Sequence, residues 1–293
     1  MRTFCTCAVM IVLGCFVVTE VRAHGVVGQR SFIEPFVTED VDPKNEMVIA
    51  RPEWNHSRDG KSFSLGFGLE KKLADTLSIT LDSEWDSISP HDPAEPQTTG
   101  FNNLGITVKD AFYINQEHEA ILSAALEATA PTGTSDVAAE QAWSFKPFFL
   151  YGKGFGDLPR SLRYLRPFAI QGDAGFEISI DHDRTTTLAH NLTLQYSIPY
   201  LEAFVRDVGL EWPLSDLLPM TEFNFEHGIN GQADGTRIIA TPGIVYMDRY
   251  LEIGVAGRFP LNDTAHQDMD WGVIGIVDLF IDDIFPASEW QPF

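Results

Sequence analysis

Residues 62–71 place Phe63, Leu65, Phe67 and Leu69 on one face and Ser62, Ser64, Gly66, Gly68 and Glu70 on the other. Residues 77–86 repeat the pattern, with Leu77, Ile79, Leu81 and Trp85 set against Ser78, Thr80, Asp82, Glu84 and Asp86. In 165–181 the even positions run Arg166, Phe168, Ile170, Gly172, Ala174, Phe176, Ile178 and Ile180, and the odd ones include Gln171, Asp173, Glu177, Ser179 and Asp181. A side-chain period of two marks β-strands, because successive side chains leave a pleated chain on opposite faces. The same period occurs in 190–199, 219–227, 250–259 and 270–281, and more weakly in 46–56, 101–113, 119–130, 142–153 and 236–247. The pattern predicts an all-β chain of about twelve antiparallel strands, with helical turns only near 157–164 and 201–217.

Most of these strands have ten residues or more. Strands in soluble sandwiches run about five or six, and membrane-spanning strands about 9–11. A large soluble sandwich or a periplasmic barrel would also alternate, since any half-buried sheet does. The connections favour the membrane. Those at 57–61, 87–100, 131–141, 182–189, 228–235 and 261–269 are polar and rich in Gly, Pro, Asp and His. Of the intervening ones, 72–76, 114–118 and 248–249 are short, while 154–164 and 200–218 are not. An even strand count brings both termini to the short-turn side, the arrangement of outer-membrane barrels with periplasmic termini. Trp85, Phe101, Tyr113, Trp143, Tyr151, Tyr200, Phe259 and Trp271 fall near strand ends, as in interfacial aromatic girdles.

The first 23 residues form a separate unit. Arg2, an apolar core from Phe4 to Val18 and the ending Val21-Arg22-Ala23 describe a secretory signal cleaved before His24. Val12-Leu13-Gly14-Cys15 loosely resembles a lipoprotein cleavage box, but apolar residues continue past it. All three cysteines lie in this leader, so a mature chain has no disulfide, Cys-ligated zinc or cysteine nucleophile. Beyond it no run of 18 apolar residues exists, and a membrane protein without spanning helices must be a closed barrel. The expected organisation is a signal at 1–23, a periplasmic segment at 24–45 long enough to enter the lumen as a plug, a barrel at 46–281 and a tail at 282–293. The tail ends in Phe293, an aromatic terminus typical of such barrels, although Pro292 precedes it. The charge of −22, with 42 acids against 20 bases, argues against a nucleic-acid partner.

Residues 194–223, LQYSIPYLEAFVRDVGLEWPLSDLLPMTEF, hold Tyr196, Ser197, Pro199 and Tyr200 at a strand end and Pro219 at the next strand's start. This stretch resembles the characteristic segment of bacterial outer-membrane barrels related to the "meta-pathway of phenol degradation" group. The beginning His24-Gly25, in HGVVGQRSFIEPFVTEDVDPKNEM, is similar to the mature start of such chains. The resemblance implies a barrel with a transport role and supplies no catalytic residues.

Catalytic signatures are missing: there is no Gly-x-Ser-x-Gly, no Walker loop and no His-Glu-x-x-His. Gly152-Lys153-Gly154-Phe155-Gly156 sits at a strand end with no helix after it, so it does not make a phosphate cradle. No enzymatic activity and no cofactor are expected. If the apolar faces meet lipid, Asp82, Glu84, Glu127, Asp173, Glu177, Glu222, Glu226, Glu252 and Asp278 point into the lumen with Lys109, Lys146 and Arg258. Such a lining favours cations or neutral solutes in an open pore, or pairs and hydrates a packed interior in a filled one. A second function class starts from His24. A free N-terminal histidine offers its α-amine and a ring nitrogen together, a chelate suited to Cu(II). Its partner would come from His56, His91, His118, His182, His190, His227 or His266, with His118 favoured by its inner turn. The expected partners are outer-membrane lipid and a small-molecule solute; the sequence leaves the oligomeric state open.

Overall fold

The computed structural model describes residues 26–137, 141–181, 185–230 and 235–286. Twelve long strands are found among them: β1 Glu46–His56, β2 Gly60–Lys72, β3 Leu77–Pro90, β4 Leu104–Asn115, β5 Ala120–Ala130 and β6 Ser144–Gly154. The second half consists of β7 Phe168–Ser179, β8 Thr187–Tyr196, β9 Leu217–Gly228, β10 Thr236–Met247, β11 Leu251–Pro260 and β12 Trp271–Phe280. Each strand pairs antiparallel with its sequence neighbours, and β12 returns to β1, from Trp271 opposite His56 to Phe280 opposite Glu46. The sheet is therefore a closed twelve-stranded barrel without a free edge. Strand β1 starts, and β12 ends, at one end of it, the near end; the polar connections lie at the far end. No helix among the described residues is long and apolar enough to cross a membrane.

The two faces invert the layering of a soluble protein. Phe67, Leu81, Val108, Leu126, Phe149, Phe176, Ile253 and Val255 are exposed on the outside. Gln171, Asp173, Thr193, Gln195, Glu222, Thr241, Glu252 and Asp278 are fully buried inside. Paired strands satisfy every backbone group of a closed wall internally, which leaves the outer face free to be apolar.

The weak alternation in two strands has a local cause. In β1 the pairing shifts between Val48 and Arg51, so Glu46 and Val48 face inward before the bulge and Arg51 and Glu53 after it. In β4 a shift between Asp110 and Tyr113 leaves Phe112 and Tyr113 both exposed. An extra residue on one strand resets the side-chain parity. Two expected boundaries also move. The strand expected at 101–113 is split into Thr98–Phe101, which pairs with the end of β3, and β4. Between them Asn102 donates to the carboxylates of Glu84 and Asp86, a side-chain alternative to the ladder. The strand expected at 190–199 ends at Tyr196. Ser197 Oγ accepts the Tyr200 N–H and caps a helical turn that Pro199 enters without needing a donor. Tyr200 is consequently buried inside the near end instead of joining an outer girdle.

Leu126, near the middle of β5, is half exposed on the outer face. Leu126→Arg is expected to cost about 2–4 kcal/mol of barrel stability in lipid, as a basic side chain at mid-bilayer does. Urea titration of the protein folded into vesicles measures it, and a change within about 0.5 kcal/mol would place Leu126 off the lipid face.

Candidate functional site

An irregular chain inside a barrel must find partners for each N–H and C=O, because no ladder supplies them. Residues 26–45 meet much of this need with lumen side chains. The segment begins as a small hairpin, Val26 opposite Ser31, at the near end. Arg30 is fully buried there. It donates to the carbonyls of Pro167 at 2.9 Å and Arg166 at 2.5 Å, lies 3.4 Å from Glu119 Oε2, and stacks 4.1 Å over the Tyr200 ring. Tyr200 donates to the other Glu119 oxygen at 3.1 Å. Gln171 and Gln195 then donate to the carbonyls of Ile33 and Ser31.

At the middle of the segment one carboxylate does most of the holding. Glu222 accepts the N–H groups of Phe36 at 2.6 Å, Val37 at 3.0 Å and Thr38 at 2.8 Å, and the Thr38 hydroxyl at 2.9 Å. Asp173 accepts the Glu39 N–H at 3.0 Å while Asn191 donates to both of its oxygens. Ser123 and Lys109 donate to the carbonyls of Val41 and Asp40. The segment leaves through Asn45, which bonds Lys72 N and Asp282. These partners come from strands all around the wall, so the segment runs inside the barrel.

Apolar packing reinforces the polar bonds. Ile33 and Phe36 pack on Val48, Leu218, Met220, Val245, Ala256, Ile274 and Ile276. Val27, Phe32 and Val41 pack on Ala111, Ile121, Phe148, Leu150 and Ala169. A Cβ at Gly243 or Gly254 would come within 2.8 Å of the Phe36 ring, so glycine makes the seat for that ring.

A cavity of about 440 Å³ remains between the segment and the wall. Glu53, Asp82, Glu84, Glu127 and Glu177 line it toward the far end, and Glu34, Glu39, Asp40, Glu46 and Glu70 deeper in. Arg51 and Lys109 are the basic side chains in that lining, and each is engaged: Arg51 with Glu34 at 2.6 Å, Lys109 with Glu70 at 3.1 Å.

Neither a protein-family model nor a curated protein matches the sequence. Solved structures do. An outer membrane channel from Pseudomonas putida F1 is 13% identical with a TM-score of 0.60, over 85% of this chain and 99% of that one. The NanC porin is 7% identical with a TM-score of 0.51, over 79% of this chain and 98% of that one. The KdgM porin is 11% identical, over 80% and 98%, with a TM-score of 0.46. The chain has the fold of an outer-membrane barrel. At such identities the likeness is one of fold alone, and the resemblance to the phenol meta-pathway group gains no support from it.

The residues expected in the lumen divide into distinct sets. Asp82, Glu84, Glu127, Glu177 and Lys109 line the cavity. Asp173 and Glu222 hold the segment, and Glu252 accepts the Glu34 N–H at 3.3 Å. Asp278 lies buried opposite Glu252 on the neighbouring strand. Lys146 sits 4.8 Å over the Phe148 ring, and Arg258 pairs with Glu53. Glu226 is exposed at the far end of β9, paired with Arg237 at 3.1 Å, apart from the cavity. The copper reading gains no support. His24 lies outside the described residues, and His118 is exposed with Nδ1 3.0 Å from Asp157 Oδ2.

Glu222→Leu strands three N–H groups and a hydroxyl, each costing about 1–3 kcal/mol when buried without a partner. The expected result is a lower urea midpoint and new protease cleavage within 32–45; unchanged protection would show that Glu222 does not hold the segment. Asp42 is buried beside Asp40, and burial first, then that neighbour, pushes its carboxyl up to about 6. A raised folded-state value makes the ionised form costly, so the cost is present above pH 6 and relieved as pH falls toward 4. Asp42→Asn should stabilise the protein at pH 7.5 by up to about 3 kcal/mol and flatten its stability profile between about pH 4 and 7. A variant as pH-dependent as the parent in denaturant titrations would contradict this.

Proposed function

We propose that this chain is an outer-membrane channel for small solutes, favouring cations or neutral molecules, with residues 26–45 narrowing the passage from the periplasmic side. The observation that carries the reading is the acidic cavity inside a closed barrel, where ten carboxyl side chains face two bases, both already engaged. Charge at such range acts strongly on permeating ions, since the walls exclude competing water and counter-ions. The exposed apolar outer face supports a lipid environment, and the outer-membrane barrel fold supports the location. In this orientation the near end, where β1 starts and β12 ends, is periplasmic and the polar connections face outward. The leader at 1–23 would deliver the chain to that membrane.

Single-channel recording in planar bilayers under a salt gradient tests the reading. The parent protein should conduct and prefer cations. Asp82→Lys combined with Glu177→Lys should move the reversal potential toward the anion side, because both line the cavity and neither bonds the segment. Absence of any conductance would refute the channel, and an unchanged reversal potential would refute this lining as its selectivity element.

A further inference from the structure

Deep in the cavity, where the segment meets β1, β11 and β12, carboxylates outnumber cations. Glu34, Asp40 and Glu46 are all buried, and each presents an oxygen within 4.8 Å of the others'. That is the greatest separation two oxygens can have when both lie about 2.4 Å from a shared ion, a usual calcium–oxygen distance. Glu252 and Asp278 face the same place from the wall, both fully buried. Glu252 accepts the Glu34 N–H with one oxygen, and its other oxygen has no partner. Asp278 lies beside Glu46, with which it can share a proton, and apart from that its oxygens have no donor among the described residues. Against these five carboxylates stand Lys44, 2.5 Å from Asp40 and 3.6 Å from Glu46, and Arg51, 2.6 Å from Glu34. Two basic side chains face five carboxyl groups in this buried space, and an ionised buried carboxylate without a counter-charge is among the costliest groups a protein can hold, so some of these stay protonated unless a cation joins them.

We propose that this cluster binds a hard divalent cation, calcium or magnesium, which fastens the inner segment to the barrel wall. The ligands are all oxygen, with no imidazole or thiolate, which selects against zinc and copper. Glu34 and Asp40 come from the segment and Glu46 from the first residue of β1, while Glu252 and Asp278, on β11 and β12, add carboxyl groups beside them from the wall. One ion thus joins elements whose carboxylates otherwise repel each other. Access is provided, since Glu34, Asp40 and Glu46 all line the cavity. Lys44 neutralises part of the cluster and moderates its affinity. The inference rests on the closed barrel and its inner segment, and it holds or fails independently of conductance.

The test uses the full chain folded in detergent, washed with chelator and titrated with Mn²⁺ while free ion is followed by electron paramagnetic resonance. The expected result is one Mn²⁺ per chain, displaced by Ca²⁺ or Mg²⁺, with binding weakened about tenfold or more in Glu46→Gln and in Asp278→Asn. Glu226→Gln, at the far end, should bind as the parent does. Persistence of the boiled-versus-unboiled mobility shift on a denaturing gel shows which variants are folded. Should neither near-end variant fold, nitroxide labels on the parent at position 248 or 227 locate the ion: bound Mn²⁺ broadens 248, beside the near-end turn, more than 227. No binding up to millimolar Mn²⁺, undiminished binding in both folded variants, or stronger broadening at 227 would each overturn the proposal.

Discussion

Everything inside this barrel depends on the hydrogen-bonding obligation of an irregular backbone placed where no sheet can serve it. Twelve paired strands satisfy their own amides and carbonyls, but residues 32–45 cannot. The lumen answers with side chains in the right polarity: carboxylates accept the N–H groups of Phe36, Val37, Thr38 and Glu39, and amide, hydroxyl and ammonium groups donate to the carbonyls of Ile33, Val41 and Asp40. A carboxylate accepts several donors at once, which is why Glu222 alone serves three consecutive amides and a hydroxyl. The acidity of the interior is in part a consequence of what the segment needs.

That division assigns two tasks to one residue type. Acids such as Asp173 and Glu222 are committed to backbone donors of the segment. Others, such as Asp82 and Glu177, border open space. In the proposed channel only the second group faces a permeating ion freely, while the first fixes how much of the lumen is open at all. Charge count along the polar faces therefore overstates the selectivity lining, and Glu226, engaged by Arg237 at the rim, shows the same effect from the other side.

The wall was legible because its signal is a period of two repeated twelve times, with strand lengths too great for an ordinary sandwich. Where the signal weakened, the structure supplies a reason. The bulge between Val48 and Arg51 moves the inward set from even to odd positions, so one phase cannot fit all of 46–56. In β12, Ile274 and Ile276 are apolar on the inward face, and in β9 so are Leu218 and Met220. Apolar residues on both faces of a strand meant something greasy inside as well as outside, and the rings of Phe36 and Phe32 are that something. The site was less legible. Ranking lumen positions by charge alone missed the neutral partners Gln171, Thr193 and Gln195, although their parity placed them beside Asp173. It also missed the segment's own Glu34, Glu39, Asp40 and Lys44, since no period governs an irregular chain.

The way the segment is tied limits how any passage could change. Its start is clamped by Arg30, whose guanidinium bonds two carbonyls, meets Glu119 and covers Tyr200. Its end is clamped by Asn45 and by continuity with β1. A chain held at both ends at the same rim cannot swing out as a tethered ball without breaking one clamp, and loss of Arg30 would leave the buried Glu119 with Tyr200 and Gly156 as donors but without this counter-charge. Residues 36–41 between the clamps depend mainly on Glu222, Asp173, Ser123 and Lys109. To widen the lumen there, that middle stretch would have to exchange its carboxylate partners for water while Phe36 stays seated. The phenylalanine is the stronger restraint, because its ring fills a seat cut for it by Gly243 and Gly254, whereas water can replace a hydrogen bond at little net cost.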